Sequence, residues 1–195
     1  MIDDLIRDFK RLIFGESSNL SKELTVLTKQ PEDQPINKMD LLVEKDVKFM
    51  PPFKGTFYNI GNFSPGVSTD SRHPKGHDGV DLYQSSDPGS PIYSIANGIV
   101  SQVSDTPKGG INITIKHPQG YSSYYAHLQK ALVKPGQTVN NNTVIGTCGS
   151  TGNASSAMPH LHLMVLHNGS KINPGSLFSI PKYSTNGLKK KNKLT

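Results

Sequence analysis

The sequence has one cysteine and no tryptophan. It also has no apolar run of the length a transmembrane helix needs. A single thiol excludes an internal disulfide and a zinc site built from several cysteines. Cys148, close to Gly146 and Gly149, is expected to be a small buried residue. Also missing is the H-E-x-x-H pattern, so a glutamate base on a zinc-binding helix is not available. The amino terminus, "MIDDLIRDFKRLIFGESS", lacks the apolar core of a classical signal peptide. Asp3, Asp4, Arg7, Asp8, Lys10 and Arg11 interrupt it. Its apolar residues Ile2, Leu5, Ile6, Phe9, Leu12 and Ile13 fall at helical spacing, which predicts a short amphipathic helix.

What the chain has in quantity is glycine (18) and proline (14), a composition suited to many short strands joined by tight turns. Residues 1–49 read as the helix plus a polar linker broken at Pro31 and Pro35. Residues 50–182 read as one domain, and 183–195 as a basic tail containing Lys189, Lys190, Lys191 and Lys193. In the domain, apolar runs at "PIYSIANGIVSQVS", "INITIKH", "YSSYYAHL", "TVIGTCGS" and "HLHLMVLHNG" are each bounded by Gly, Pro or Asn. They predict a mainly β, antiparallel sheet domain behind a short helical extension. "HPQG" and "HNGS" are turn sequences, which makes His117 and His167 turn residues rather than ligands. The net charge of +6 favours anionic partners, but a lysine run at a chain end is ordinarily a solvated end, and no nucleic acid is expected.

The chemistry concentrates in three places. In "MPHLHLMVLHNG", Leu161, Leu163 and Val165 alternate with His160, His162 and Met164. That is the period of a strand with a core face and an imidazole-bearing face. "GHDGVDLY" offers His77 and Asp81 four residues apart, with Gly79 arguing for a bend into a strand rather than a helix. "YYAHLQK" adds His127 at the end of a tyrosine-rich strand. Two imidazoles and a carboxylate make a three-ligand zinc site with one position open, as catalytic zinc sites have. Tyr83, Tyr124 and Tyr125 are read mainly as packing residues, with a cleft wall as the alternative.

The ordered series "HDGVD", "YYAHL", "VKPGQTV", "VIGTCGSTG" and "HLHLMV" resembles the M23 family of zinc metallopeptidases, the lysostaphin and LytM-like group. "GSPIYSIANGIV" and "INP" also fit, and the resemblance spans about Ser71 to Phe178. "VKPGQTV" is shared with lipoyl and biotinyl carriers, but no lysine-bearing hairpin tip is found here. The resemblance implies a β-sheet domain of the LytM/lysostaphin type. It implies one Zn2+ bound by His77, Asp81 and His162, with His127 and His160 as unligated catalytic histidines. The implied reaction is hydrolysis of peptide bonds in peptidoglycan stem peptides or cross-bridges. Zinc lowers the pKa of the attacking water toward about 7, and an imidazole takes up the proton. Either histidine suits the role of base.

The chain departs from the family pattern at Ala157 and Met158, where relatives place a glycine, and after "HLHLMV", where an acidic residue is missing. In "VNNNTVIG", Asn141 and Asn142 replace a glycine turn, which asparagine allows by tolerating left-handed backbone. These departures bear on substrate preference. The alternative function is a catalytically silent LytM-like module that binds cell wall or regulates another hydrolase. The expected partners are peptidoglycan peptides and anionic wall polymers. The expected place of action is extracellular, in the periplasm or cell wall, with the first helix a candidate tether to a virion or other particle.

Overall fold

The alternation in "HLHLMV" becomes a seven-residue strand at the centre of an antiparallel sheet. The structure, a computed structural model, describes residues 46–68, 74–84, 88–154 and 158–182. The expected amphipathic helix, its suggested tethering role and the basic tail fall on residues outside those described. Within them the strands are β1 (Tyr58–Gly61), β2 (Ser64–Pro65), β3 (Gly76–His77), β4 (Val80–Tyr83), β5 (Pro91–Tyr93) and β6 (Gly98–Thr106). Then follow β7 (Gly110–Lys116), β8 (Tyr121–Ala131), β9 (Thr138–Val139), β10 (Val144–Cys148), β11 (Leu161–His167) and β12 (Ser170–Ile172). No described helix is long and apolar enough to cross a membrane.

The main sheet runs β1-β4-β11-β8-β7-β6-β9, with β12 paired to β11 and β10 joining β8 to β5. Every pairing of these strands is antiparallel, and the β6–β7, β7–β8 and β11–β12 pairs are joined by short turns. One face of β11 supplies Leu161, Leu163 and Val165, all fully buried, and they meet Val80 and Leu82 of β4 and Ile113 and Ile115 of β7 in one core. Burial of each such side chain stabilises the fold by about 1.5–3 kcal/mol. Cys148 is buried and unpaired.

Turn chemistry follows the sequence in most places. Asn168 and Gly169 both have positive φ (49° and 78°), the backbone of a tight hairpin turn between β11 and β12. "PIYSIANGIVSQVS" divides into β5 and β6, because Ser94 Oγ donates to the Ala96 carbonyl at 2.7 Å and makes a corner. The asparagine turn differs from expectation. Asn141 and Asn142 are not left-handed; instead Asn140 Oδ1 accepts from the Asn142 N–H at 2.9 Å and from Thr143 Oγ1 at 3.1 Å. An Asx turn does there what left-handed backbone would have done. Phe49, placed by the sequence in the linker, packs edge-on against Tyr121 with ring centroids 5.0 Å apart.

Candidate active site

Register across the sheet sets the first part of the site. Asp81 of β4 lies directly opposite His162 of β11, and His162 lies opposite Ala126 of β8. On the other side of Asp81 is Gly61 of β1, where a Cβ would collide with the Asp81 carboxylate. His77 reaches the same point from β3, because the chain bends at Asp78 and Gly79 before entering β4. Gly79 is needed for that bend: a side chain there would run into the Leu163 carbonyl.

His77 Nε2, Asp81 Oδ1 and His162 Nδ1 form a triangle with all three edges 3.0 Å. His77 Nδ1 lies 2.9 Å from the Asn62 carbonyl. A carbonyl only accepts, so Nδ1 carries the proton and Nε2 presents a lone pair to the triangle. Three electron-rich atoms this close need a cation among them. A tetrahedral zinc site with bonds of about 2.0–2.1 Å has ligand–ligand edges of roughly 3.3 Å. The triangle is close to that size, its donors are of the type zinc takes, and the backbone carbonyl on His77 fixes the ring as outer partners of metal ligands do. The residues therefore fit a zinc ion. Among the described residues these are the one group of three His, Cys, Asp or Glu so arranged.

The electrostatics agree with the geometry. Burial alone would raise the Asp81 carboxyl, but the His162 and His77 rings 3.0 Å away outweigh it and hold the group ionised, well below the ordinary carboxylate range. Burial alone would lower His77, but the Asp81 carboxylate, which accepts from Nε2 whenever that nitrogen is protonated, raises it above its ordinary value.

Two further imidazoles face the triangle. His160 Nε2 lies 3.8 Å from Asp81 Oδ1, and its Nδ1 is 3.0 Å from the Met158 carbonyl. His127 has its ring centroid 5.0 Å from that of His160 and 6.0 Å from that of His162, and its Nδ1 is 2.9 Å from the Thr151 carbonyl. By the same reasoning both carry their proton on Nδ1 and turn a basic Nε2 away from the carbonyl. Burial pushes His127 down to about 4, which keeps the ring neutral.

His127 reaches the cleft through an irregularity. It sits inside β8 rather than at its end, with φ of 63°. Strand β8 pairs with β11 up to Ala126 and with β10 from Leu128 onward, and His127 stands at the hand-over. In a regular strand His127 would share the core face of Ser123 and Tyr125. The left-handed residue shifts the parity, so His127 joins Tyr124 and Ala126 on the cleft side and Leu128 turns into the core. A non-glycine residue held at positive φ stores backbone strain, which other contacts must sustain. One of them is its own N–H, donated to the Gly109 carbonyl at 2.8 Å.

All five histidine and aspartate candidates line one open cleft of about 710 Å³. Tyr124 also lines it, while Tyr125 is fully buried and its hydroxyl accepts from the Ile95 N–H at 2.9 Å. His117 and His167 lie elsewhere: His117 is buried against Ser123, and His167 stacks on Tyr121 at 4.1 Å. The sequence did not reveal the carbonyls of Asn62 and Thr151, since every residue has one. It did not single out Lys75 or Lys108 as cleft-lining residues either, whereas Met164 lines the cleft from the imidazole-bearing face of β11.

Comparison with known proteins adds a second line of findings. The profile described as Peptidase family M23 matches residues 75–174. Peptidoglycan DD-endopeptidase ShyC of Vibrio cholerae is 38% identical over 100 residues, covering 51% of this chain and 22% of that protein. The chain spans about a fifth of the length of that relative and of peptidoglycan DD-endopeptidase ShyA from the same organism, where the share is 19%. Among solved structures, a zinc-containing peptidase from Vibrio cholerae superposes with a TM-score of 0.60 at 27% identity, over 70% of this chain and 41% of that one. The catalytic domain of the antimicrobial peptidase lysostaphin from Staphylococcus simulans gives a TM-score of 0.53 at 26% identity, over 62% of this chain and 90% of that one.

Proposed function

The chain belongs to peptidase family M23, and on that premise we propose that it is a zinc-dependent endopeptidase hydrolysing peptide bonds of peptidoglycan, in stem peptides or cross-bridges. The observation that carries this reading is the 3.0 Å triangle of His77, Asp81 and His162 with two carbonyl-anchored imidazoles beside it in one cleft. A structural metal site would be closed by a fourth ligand, whereas three ligands on an open cleft leave room for a substrate.

His77 Nε2, Asp81 Oδ1 and His162 Nδ1 would hold the ion. Zinc bound there supplies a Lewis acid that polarises a peptide carbonyl and acidifies water. The remaining work falls to the chain. The basic Nε2 of His127 or His160 accepts a proton from the attacking water and, as an imidazolium, returns it to the leaving amine. The other imidazole lines the cleft beside the triangle and helps position the substrate. Asp81, ionised and buried, offsets positive charge in the triangle. An open cleft rather than a closed pocket suits a polymer. Action in the periplasm or cell wall follows from that substrate, and the +6 net charge helps the protein approach anionic wall polymers.

The test is digestion of a panel of purified peptidoglycans and a pentaglycine peptide, read by mass spectrometry, with and without chelator and beside His160→Ala. New amino termini that vanish in both controls are the expected result. A folded, zinc-loaded protein that cuts nothing in the panel would overturn the reading and favour a silent wall-binding module.

A further inference from the structure

The cleft carries charge that neither the proposed ligands nor the two flanking imidazoles use. Lys75, immediately before β3, and Lys108, in the turn between β6 and β7, both line it and both are exposed. Neither takes part in an ion pair among the described residues. Lys171 differs, its Nζ lying 2.7 Å from Asp78 Oδ2. Asp78 and Asp81 are the carboxylates that line the cleft among the described residues. Lys171 neutralises the first, and the second is turned into the triangle. An approaching ligand therefore meets two ammonium groups outside any ion pair, Lys108 with a longer-range attraction to Asp78, and among the described residues no carboxylate without a cationic partner.

The two cations are placed by different parts of the fold. Lys75 is two residues ahead of His77. Lys108 is held beside His127: its carbonyl accepts the Asn153 N–H at 3.1 Å, and the next residue, Gly109, accepts the His127 N–H at 2.8 Å. Gly109 in turn donates its N–H to Thr106 Oγ1 at 3.0 Å. The base of Lys108 is thus fixed while its ammonium is free to meet a ligand. Ile60, Met158 and Met164 contribute apolar wall between the charged groups. Charges of one sign along a cleft with low-dielectric walls focus the field on whatever enters.

We propose that Lys75 and Lys108 are specificity-determining residues that select an anionic peptide over a neutral one such as oligoglycine. The favoured substrate carries a free carboxylate within a residue or two of the bond to be cut. The proposal rests on the peptidase reading above and narrows its substrate class. Each exposed ammonium–carboxylate contact is worth at most about a fivefold preference, so the two together set a preference of roughly tenfold.

The test uses the zinc-loaded full chain and a matched pair of cross-linked peptidoglycan peptides. The two differ only in a free carboxylate or its carboxamide beside the cross-link. The expected result is a kcat/KM about tenfold higher for the acidic peptide. The Lys75→Ala/Lys108→Ala variant is expected to remove that preference by slowing cleavage of the acidic peptide alone. Lys130→Ala/Lys134→Ala, which deletes the same charge outside the cleft, should leave it in place. Calorimetric binding of the two peptides to His160→Ala provides a readout independent of turnover. Equal cleavage of the two peptides, or a preference that survives in Lys75→Ala/Lys108→Ala, overturns charge selection and leaves the peptidase reading standing. Selective binding of the acidic peptide without cleavage of either overturns the peptidase reading and leaves charge selection standing. Neither cleavage nor selective binding overturns both.

Discussion

Two buried histidines, His77 and His117, stand in separate clusters and behave in opposite ways. In the cleft, His77 is raised above its ordinary pKa by the Asp81 carboxylate and turns a lone pair toward two other donors. In the core, His117 has its Nδ1 2.8 Å from the Asn97 carbonyl and its Nε2 2.6 Å from Ser123 Oγ. Ser123 Oγ continues to the Tyr125 hydroxyl at 3.0 Å. Burial, only partly offset by the Asn97 carbonyl, pushes His117 down to about 4. Both rings are buried, so burial does not separate a ligand from a structural residue. A carboxylate partner and an unfilled nitrogen do. His117 has both nitrogens occupied by neutral partners, which leaves nothing for a metal or a substrate.

Substitutions in the two clusters should therefore fail differently. The largest effect is expected at His162→Ala, which should lose zinc and activity together, as seen by elemental analysis of the purified protein and by digestion. His160→Ala should keep its zinc and lose about 10²–10⁴-fold in rate, the usual contribution of a proton-transferring group. Equal loss of metal in the two variants would mean the pair has been assigned wrongly.

In the core cluster, His117→Phe should keep zinc and cleavage but cost about 1–3 kcal/mol in a denaturant titration. It removes one hydrogen bond to the Asn97 carbonyl and one to Ser123 Oγ, which keeps its bond to the Tyr125 hydroxyl, and each such bond is worth about 0.5–1.5 kcal/mol. The same residue sets a pH dependence. Its folded pKa, about 4, lies below the unfolded value near 6.5, so the unfolded chain takes up the proton first. The stability it contributes is complete above about pH 6.5 and is lost as pH falls through 4. The loss totals roughly 3 kcal/mol at 1.36 kcal/mol per pKa unit. The difference in slope between wild type and His117→Phe over that window measures it, and parallel curves would remove His117 as the cause. The smallest effect is expected at Lys171→Ala. Its pair with Asp78 is 44% and 42% exposed, so stability should change by less than about 1 kcal/mol and zinc content not at all.

Much of this contrast was legible in the chain. The alternation of Leu161, Leu163 and Val165 with His160, His162 and Met164 is local and of period two, so it could be read without knowing any neighbour. Gly79 between His77 and Asp81 spoke for a bend, and the bend is there. His127 was harder. Counting by two from Tyr125 would send it into the core, and only the change of pairing partner at φ 63° turns it out. The role of Lys108 was hidden for a related reason. Nothing in "DTPKGG" says that its turn is fastened next to His127 by two backbone hydrogen bonds from distant residues.

The sequence by itself determined which chemical groups the protein owns, in what order, and which face of β11 they occupy. It also excluded disulfides and an H-E-x-x-H helix. Tertiary structure alone decided that Asp81 stands opposite His162, that the carbonyls of Asn62 and Thr151 fix two imidazole tautomers, and that His127 changes face. The physical reason is one of range. Side-chain alternation is a property of a few consecutive residues, whereas register, carbonyl partners and bulges depend on segments more than 80 residues apart in the chain meeting in the folded protein.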